Sequence, residues 1–178
     1  VYDPNVAQKM DYILYRKKQG LDMLGEVITL GSASDYTHIA RYIGDNKIIE
    51  WHAATGCVIV EINKDDYERI DIYRYYKTIM PWRLNRIYKY LLKKVAINEP
   101  YDFGDCANSI TATLGRLLHW RWLAERKPIF KQNKKAHNCS TGQRHADRYG
   151  FVNSVPGVNV NTVTPGDFAK SKRLIRVS

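Results

Sequence analysis

Nothing in this sequence approaches the uninterrupted apolar length that crosses a bilayer. Its opening stretch, Val1 to Gly20, is too polar and charged to read as a signal peptide. Cysteine is scarce: Cys57, Cys106 and Cys139 cannot all pair, and their spacing offers neither a disulfide framework nor a CxxC metal clip. No RNP, zinc-finger or helix-turn-helix signature accompanies the 13 tyrosines, so nucleic acid stays a secondary reading. Internal repeats, low-complexity tracts and linkers are also lacking. One domain with a substantial core fits the 178 residues.

Acidic side chains are in deficit, 18 Asp and Glu against 28 Lys and Arg, for a net charge of +10. The basic residues are spread along the chain, from Arg16, Lys17 and Lys18 to Lys170, Lys172 and Arg173. This balance favours a polyanion or an anionic surface without choosing among nucleic acid, membrane and acidic wall polymer. Apolar residues make up 44% and charged residues 26%, an ordinary globular composition.

Along the chain, Val6, Met10, Ile13, Leu14 and Lys17 are spaced by three or four, which predicts a helix from Val6 to Lys18, stopped at Gly20. Short β-type runs follow at Glu26–Leu30, Thr37–Ile43, Lys47–His52, Val58–Ile62 and Ile70–Tyr76. Pro81 opens a helix carrying Leu84, Ile87, Leu91 and Val95, and Ser109–Leu123 reads as a second. A third follows Asn138 and closes at Gly150; Lys172–Val177 reads as a last strand. Antiparallel strands flanked by helices make the α+β class.

If Gly44, Asp45 and Asn46 form a three-residue connection, Ile43 pairs with Lys47, Ala40 lies opposite Glu50, and His38 opposite His52. Side-chain alternation then puts His38, Glu50 and His52 on one face, with His38 and Glu50 diagonal neighbours about 7–8 Å apart. An imidazole beside a carboxylate is a base with its orienter; His52 is a second candidate for the orienting role. The nucleophile that fits is Cys139, because the start of a helix favours a thiolate and supplies amides for an oxyanion. The plainer alternative is a buried structural thiol, the usual fate of a free cysteine. Cys106 is a further thiol without an evident histidine, and Cys57 reads as core. His137 and His145 flank Cys139 without zinc-like spacing and read as surface histidines.

The run Tyr36-Thr-His-Ile-Ala-Arg-Tyr-Ile-Gly-Asp-Asn-Lys-Ile-Ile-Glu50 resembles the "SHVGIYIGNGKVIEA" segment of circularly permuted NlpC-type hydrolases, the YiiX-like proteins related to lecithin:retinol acyltransferases. Glu26–Leu30 resembles their "GDIIL" strand, Glu99–Phe103 their "G-x-PYDF" segment, Asn138–Thr141 their "CSEL" run, and Thr164–Ser171 their "TPGDLAxS" element. His38 precedes Cys139, as in the permuted group and opposite to ordinary papain-like enzymes.

The resemblance implies a papain-like antiparallel sheet or small barrel flanked by helices, at 25–178, preceded by an N-terminal helical segment at 1–24. It implies Cys139 as nucleophile, His38 as base and Glu50 as orienter, with Tyr36, Tyr101 and Ser140 as candidate substrate-binding residues. The implied chemistry is hydrolysis of an amide or ester in a peptide, a peptidoglycan stem peptide or a lipid-like acyl compound, with no cofactor and no metal. Acyl transfer, and an inactive binding module of the same fold, stand as alternatives. Two departures stand out: Thr141-Gly-Gln-Arg-His145 replaces the acidic and apolar residues that follow the family's cysteine, and Gly142 is expected to weaken that helix. Trp120–Lys135 has no family counterpart and reads as a solvated loop, with a lid or docking surface as the alternative.

Overall fold

A computed structural model describes residues 2–18, 34–120, 133 and 136–178. The strands are β1 (Tyr12–Lys17), β2 (His38–Gly44), β3 (Lys47–His52), β4 (Gly56–Glu61), β5 (Tyr67–Tyr75) and β6 (Leu174–Arg176). They form one antiparallel sheet in the order β4-β3-β2-β1-β5-β6. Among the described residues the sheet is open, with β4 and β6 at its edges, and is not closed into a barrel. Four helices are described: α1 (Pro81–Ala96), α2 (Phe103–Leu117), α3 (Cys139–Tyr149) and α4 (Pro165–Ala169). None is long and apolar enough to cross a membrane. The architecture is α+β.

The helix expected over Val6–Lys18 is instead the strand β1, hydrogen-bonded on one side to β2 and on the other to β5. Tyr12, Ile13, Leu14 and Tyr15 are 0–1% exposed, so both faces of this strand are buried. A strand covered on both sides needs no polar alternation, and its apolar run passes for helical spacing. The expected strand at Glu26–Leu30, the stop at Gly20 and the boundary at residue 24 lie outside the described residues, as does nearly all of the 120–135 segment.

The β2–β3 register follows the sequence reading in its body, with Arg41 opposite Ile49 and Tyr42 opposite Ile48. It differs at the turn. Gly44 rather than Ile43 pairs with Lys47, leaving a two-residue loop of Asp45 and Asn46 at φ 53° and 57°. These angles suit the tight turn whose twist matches a hairpin, and Asp and Asn tolerate them best after glycine. Gly44 itself has φ 103° and takes up the extra residue as a bulge.

One face of the sheet carries Tyr12, Leu14, Ile39, Arg41, Ile49 and Trp51 and receives α3. Phe168 of α4 seats its ring 5.4 Å from Tyr12 on that side. The other face carries Ile13, Tyr15, Ala40, Tyr42, Ile48 and Ile72, packed with Tyr2 and Ile62. Pro81 opens α1 at its first turn, and Ile87 and Leu91 bury its inner side. The second helix begins at Phe103, earlier than the expected Ser109, because the Asp102 carboxylate accepts a bond from the Gly104 N–H at 2.8 Å. The short α4 carried a readable signal: Thr164 and Asp167 cap each other reciprocally, with Pro165 between.

Candidate active site

Cys139 is the first residue of α3. Asn138 caps the helix, its Oδ1 accepting from Ser140 N–H at 2.9 Å and Thr141 N–H at 2.8 Å, while the Thr141 hydroxyl accepts from Asn138 N–H at 3.0 Å. This reciprocal cap fixes the helix start and holds the thiol at the positive end of the helix. Gly142 does not loosen the helix. The Trp51 ring lies where a β-carbon on Gly142 would come within 2.7 Å of it, so the glycine lets α3 close onto β3. Gln143 donates to Ile49 O at 3.1 Å, and Asp147 pairs with Arg41, so the polar residues after Cys139 fasten the helix to the sheet.

The thiol is 3% exposed. Burial pushes its pKa up to about 12, the nearby Cys106 and Glu50 add to this, and the Ser140 hydroxyl and the Ile39 backbone amide pull it down. Cys139 is therefore protonated in this closed form. It lines a narrow cavity of about 20 Å3 with Tyr101, Cys106, Ser109, Asn138 and Ser140, and Val163, Thr164 and Pro165 also stand in its wall. Of the three expected substrate-binding residues, Tyr101 and Ser140 stand in this wall and Tyr36 does not. The Tyr36 hydroxyl donates to Asp71 Oδ2 at 2.5 Å and lies 3.1 Å from the Tyr73 hydroxyl.

His38 and Glu50 share a sheet face, as the register required, but it is the face opposite Cys139. The His38 ring stacks on Tyr15, centroids 5.2 Å apart at 18°, and lies parallel to His52 at 6.5 Å and 2°. Ile39, the next residue, points the other way into the cluster that holds Cys139. Burial, with Lys17 and His52 adding to it, lowers His38 to about 3, and its Nδ1 has no hydrogen-bond partner. Burial raises Glu50 to about 7, and its Oε2 is likewise unpartnered. The Tyr15 hydroxyl is a third buried orphan on this face. Among the described residues no hydrogen bond joins His38 to Glu50 or to Cys139.

A different imidazole–carboxylate pair is fully formed. His137 Nδ1 and Glu99 Oε2 are 2.8 Å apart, and Glu99 also accepts from Trp51 Nε1 at 3.0 Å and from Lys94. Burial opposes ionisation of Glu99, but the bonds from His137 and Lys94 hold it below the usual carboxylate range. His137 is 8% exposed rather than a surface histidine, and its ring meets that of His145 at 4.5 Å. His145 is half-buried, and burial, followed by His137, lowers it to about 4. The separation of 38 positions between Glu99 and His137 hid this pair from sequence reasoning.

Comparison with solved structures bears on the fold. The chain superposes on the crystal structure of the metalloprotein YiiX from Escherichia coli O157:H7 with a TM-score of 0.62, over 96% of each chain. The fold is YiiX-like. Sequence identity is 12%, so the likeness is one of fold alone. No family model matches the sequence, and no curated protein matches it. Within the YiiX-like fold, the described residues contain no group of three or more His, Cys, Asp or Glu disposed to hold a metal ion.

Proposed function

We propose that the chain is a cysteine-dependent acyl hydrolase of the circularly permuted NlpC type, papain-like in the descent of its site. Cys139 is the nucleophile, His38 the base and Glu50 its orienter. The observation that carries the reading is the seat of Cys139: a thiol at the first position of a doubly capped helix, in a cavity wall, with the Ile39 amide against it. Once the cavity opens, a substrate carbonyl would be attacked by the sulfur, and the Cys139 N–H, the helix-start amide that the Asn138 carboxamide does not engage, would face the developing oxyanion. The acyl group then stays on Cys139 as a thioester until water releases it.

The described form is a resting one. His38 is the first residue of β2, one residue from the amide that contacts Cys139, and the start of β2 must turn over to bring its ring from the opposite face of the sheet to the thiol. Its unpartnered Nδ1 and the unpartnered Glu50 carboxyl, both buried, support a constellation that completes itself only on rearrangement. Amides and esters of peptides, peptidoglycan stem peptides or lipid-like acyl compounds are the proposed substrate class. YiiX is described as a metalloprotein, but the described residues offer no matching ligand set, so no step is assigned to a metal.

A second reading, acyl transfer to an alcohol or amine, draws on the 3% exposure of Cys139, which restricts water at the thioester. Both readings are tested by incubating the folded protein with p-nitrophenyl acyl esters and mapping adducts by peptide mass spectrometry. A single acyl adduct on Cys139, absent in Cys139→Ala and slowed in His38→Ala, is the expected result. Release by water or by an added amine then separates hydrolase from transferase. Acylation spread over Cys57, Cys106 and Cys139, or unaffected by His38→Ala, would remove the assignment.

A further inference from the structure

The outer side of α1 and the end of α3 meet in a surface that the cavity chemistry does not use. Met80, Trp82, Tyr149 and Phe151 are 58%, 48%, 48% and 62% exposed there. They are contiguous: Trp82 Nε1 lies 3.3 Å from Met80 Sδ, and the Trp82 ring lies 6.2 Å from Phe151. The Arg86 guanidinium sits 4.8 Å from the rings of both Tyr149 and Phe151, and Arg83 sits 5.2 Å from Trp82. Large apolar side chains gathered in the open mark an interaction site more often than chance exposure does.

Two features show that the patch is held in place. Arg86 donates to Tyr149 O at 3.0 Å and Arg83 to Phe151 O at 3.4 Å, tying the two helices together beneath the rings. Phe151 occupies a left-handed backbone conformation, φ 56°, immediately after Gly150, whose missing β-carbon admits Ile87. A bulky residue in that conformation is costly, and here it holds a phenyl ring that stays 62% exposed beside Trp82 and Arg86.

The charge around the rings has one sign. Helix α1 carries Arg83, Arg86, Lys89, Lys93 and Lys94 with no Asp or Glu, and among the described residues Arg83, Arg86 and Arg148 have no carboxylate partner. Aromatic rings with arginines between them match the headgroup layer of an anionic bilayer, where the rings enter the interface and the guanidinium groups meet phosphate. Single-stranded nucleic acid needs open ring faces for its bases. Here Arg83 lies over Trp82, and Arg86 over both Tyr149 and Phe151. We propose that the surface formed by Met80, Trp82, Arg83, Arg86, Tyr149 and Phe151 docks the protein on an anionic lipid bilayer. The surface lies at the end of α3 opposite Cys139, about 15 Å along the helix, so it stands whether or not Cys139 reacts.

The test is co-sedimentation with phosphatidylcholine vesicles made with and without phosphatidylserine. Binding is expected only with phosphatidylserine present, weakening as salt is added. Paired Trp82→Ala and Phe151→Ala changes should weaken it about tenfold through lost apolar contact. Arg83→Gln and Arg86→Gln should each cost about fivefold. Lys64→Gln, which sits at a different surface, should leave binding unchanged, and Trp82 fluorescence should shift to the blue on binding, assigned with Trp82→Phe. Equal binding to both vesicle types, no binding to either, or binding indifferent to the patch variants overturns the proposal. So does single-stranded RNA affinity that the patch variants abolish while vesicle binding persists.

Discussion

Arg41 and Asp147 form an ion pair that water does not reach: the guanidinium is 1% exposed, the carboxylate 0%, and their N–O distance is 2.7 Å. Arg41 also lies 3.6 Å over the Tyr12 ring and donates to Met10 O, while Asp147 accepts from the Tyr12 and Ser154 hydroxyls. One buried pair thus joins β1, β2 and α3, the elements that place Cys139. Removing one partner leaves the other charge buried alone, at a typical cost of about 3–5 kcal/mol. Asp147→Ala should therefore lower denaturant stability by that order, and the double change Arg41→Met, Asp147→Leu should recover much of it. Equal loss in both variants would mean that the pair acts through shape rather than charge.

Gly142→Ala tests the approach of α3 to Trp51. In an open helix the change would gain about 1 kcal/mol from propensity. Against a ring 2.7 Å from the new β-carbon it should instead cost about 1–3 kcal/mol. In a Trp51→Leu background the penalty should shrink or change sign, as read from urea unfolding midpoints.

The Asn138 cap predicts a smaller effect at the same end of the helix. Asn138→Ala should destabilise by about 1 kcal/mol and Asn138→Asp much less, since aspartate caps as well as asparagine. Thermal unfolding of the two variants separates the loss of the cap from the loss of side-chain volume.

The buried groups opposite Cys139 predict a pH signature. Glu50 rises from 4.5 to about 7 in the fold, so its contribution is full below pH 4.5 and disappears as pH climbs to 7. His38 falls from 6.5 to about 3, so its contribution is full above pH 6.5 and disappears as pH drops toward 3. The two oppose each other between pH 4.5 and 6.5. Glu50→Gln removes one arm and should raise stability at pH 8 by on the order of 3 kcal/mol. It should also leave a plain decline from pH 6.5 downward in the urea midpoint. An unchanged profile would show that the carboxyl is not buried in the uncharged form.

Much of this architecture was written locally. Strand β3, the body of its register with β2, the start of α1 at Pro81 and the end of α3 at Gly150 all rest on alternation, helical spacing or turn residues within a few positions. The alternation that put His38 and Glu50 on one face was correct. Cys139 lies on the other because α3 settles on the Ile39 side, a choice made by Trp51, Gly142 and the Arg41–Asp147 pair over separations of about a hundred residues. The Glu99–His137 pair was illegible for the same reason. Strand β1 was misread because burial on both faces erases the polar alternation by which a strand is recognised.

The place of β1 in the sheet also orders events during synthesis. Tyr12 to Tyr15 leave the ribosome before either neighbour exists, and although β2 follows soon, Tyr73 of β5 opposes Tyr12 only 61 positions later. Until then the nascent hairpin-like ribbon of β1, β2 and β3 carries a bare, apolar edge, the kind of surface that invites pairing with another chain. Strand β1 is made before both of its partners, and the newborn chain carries that edge bare until β5 arrives.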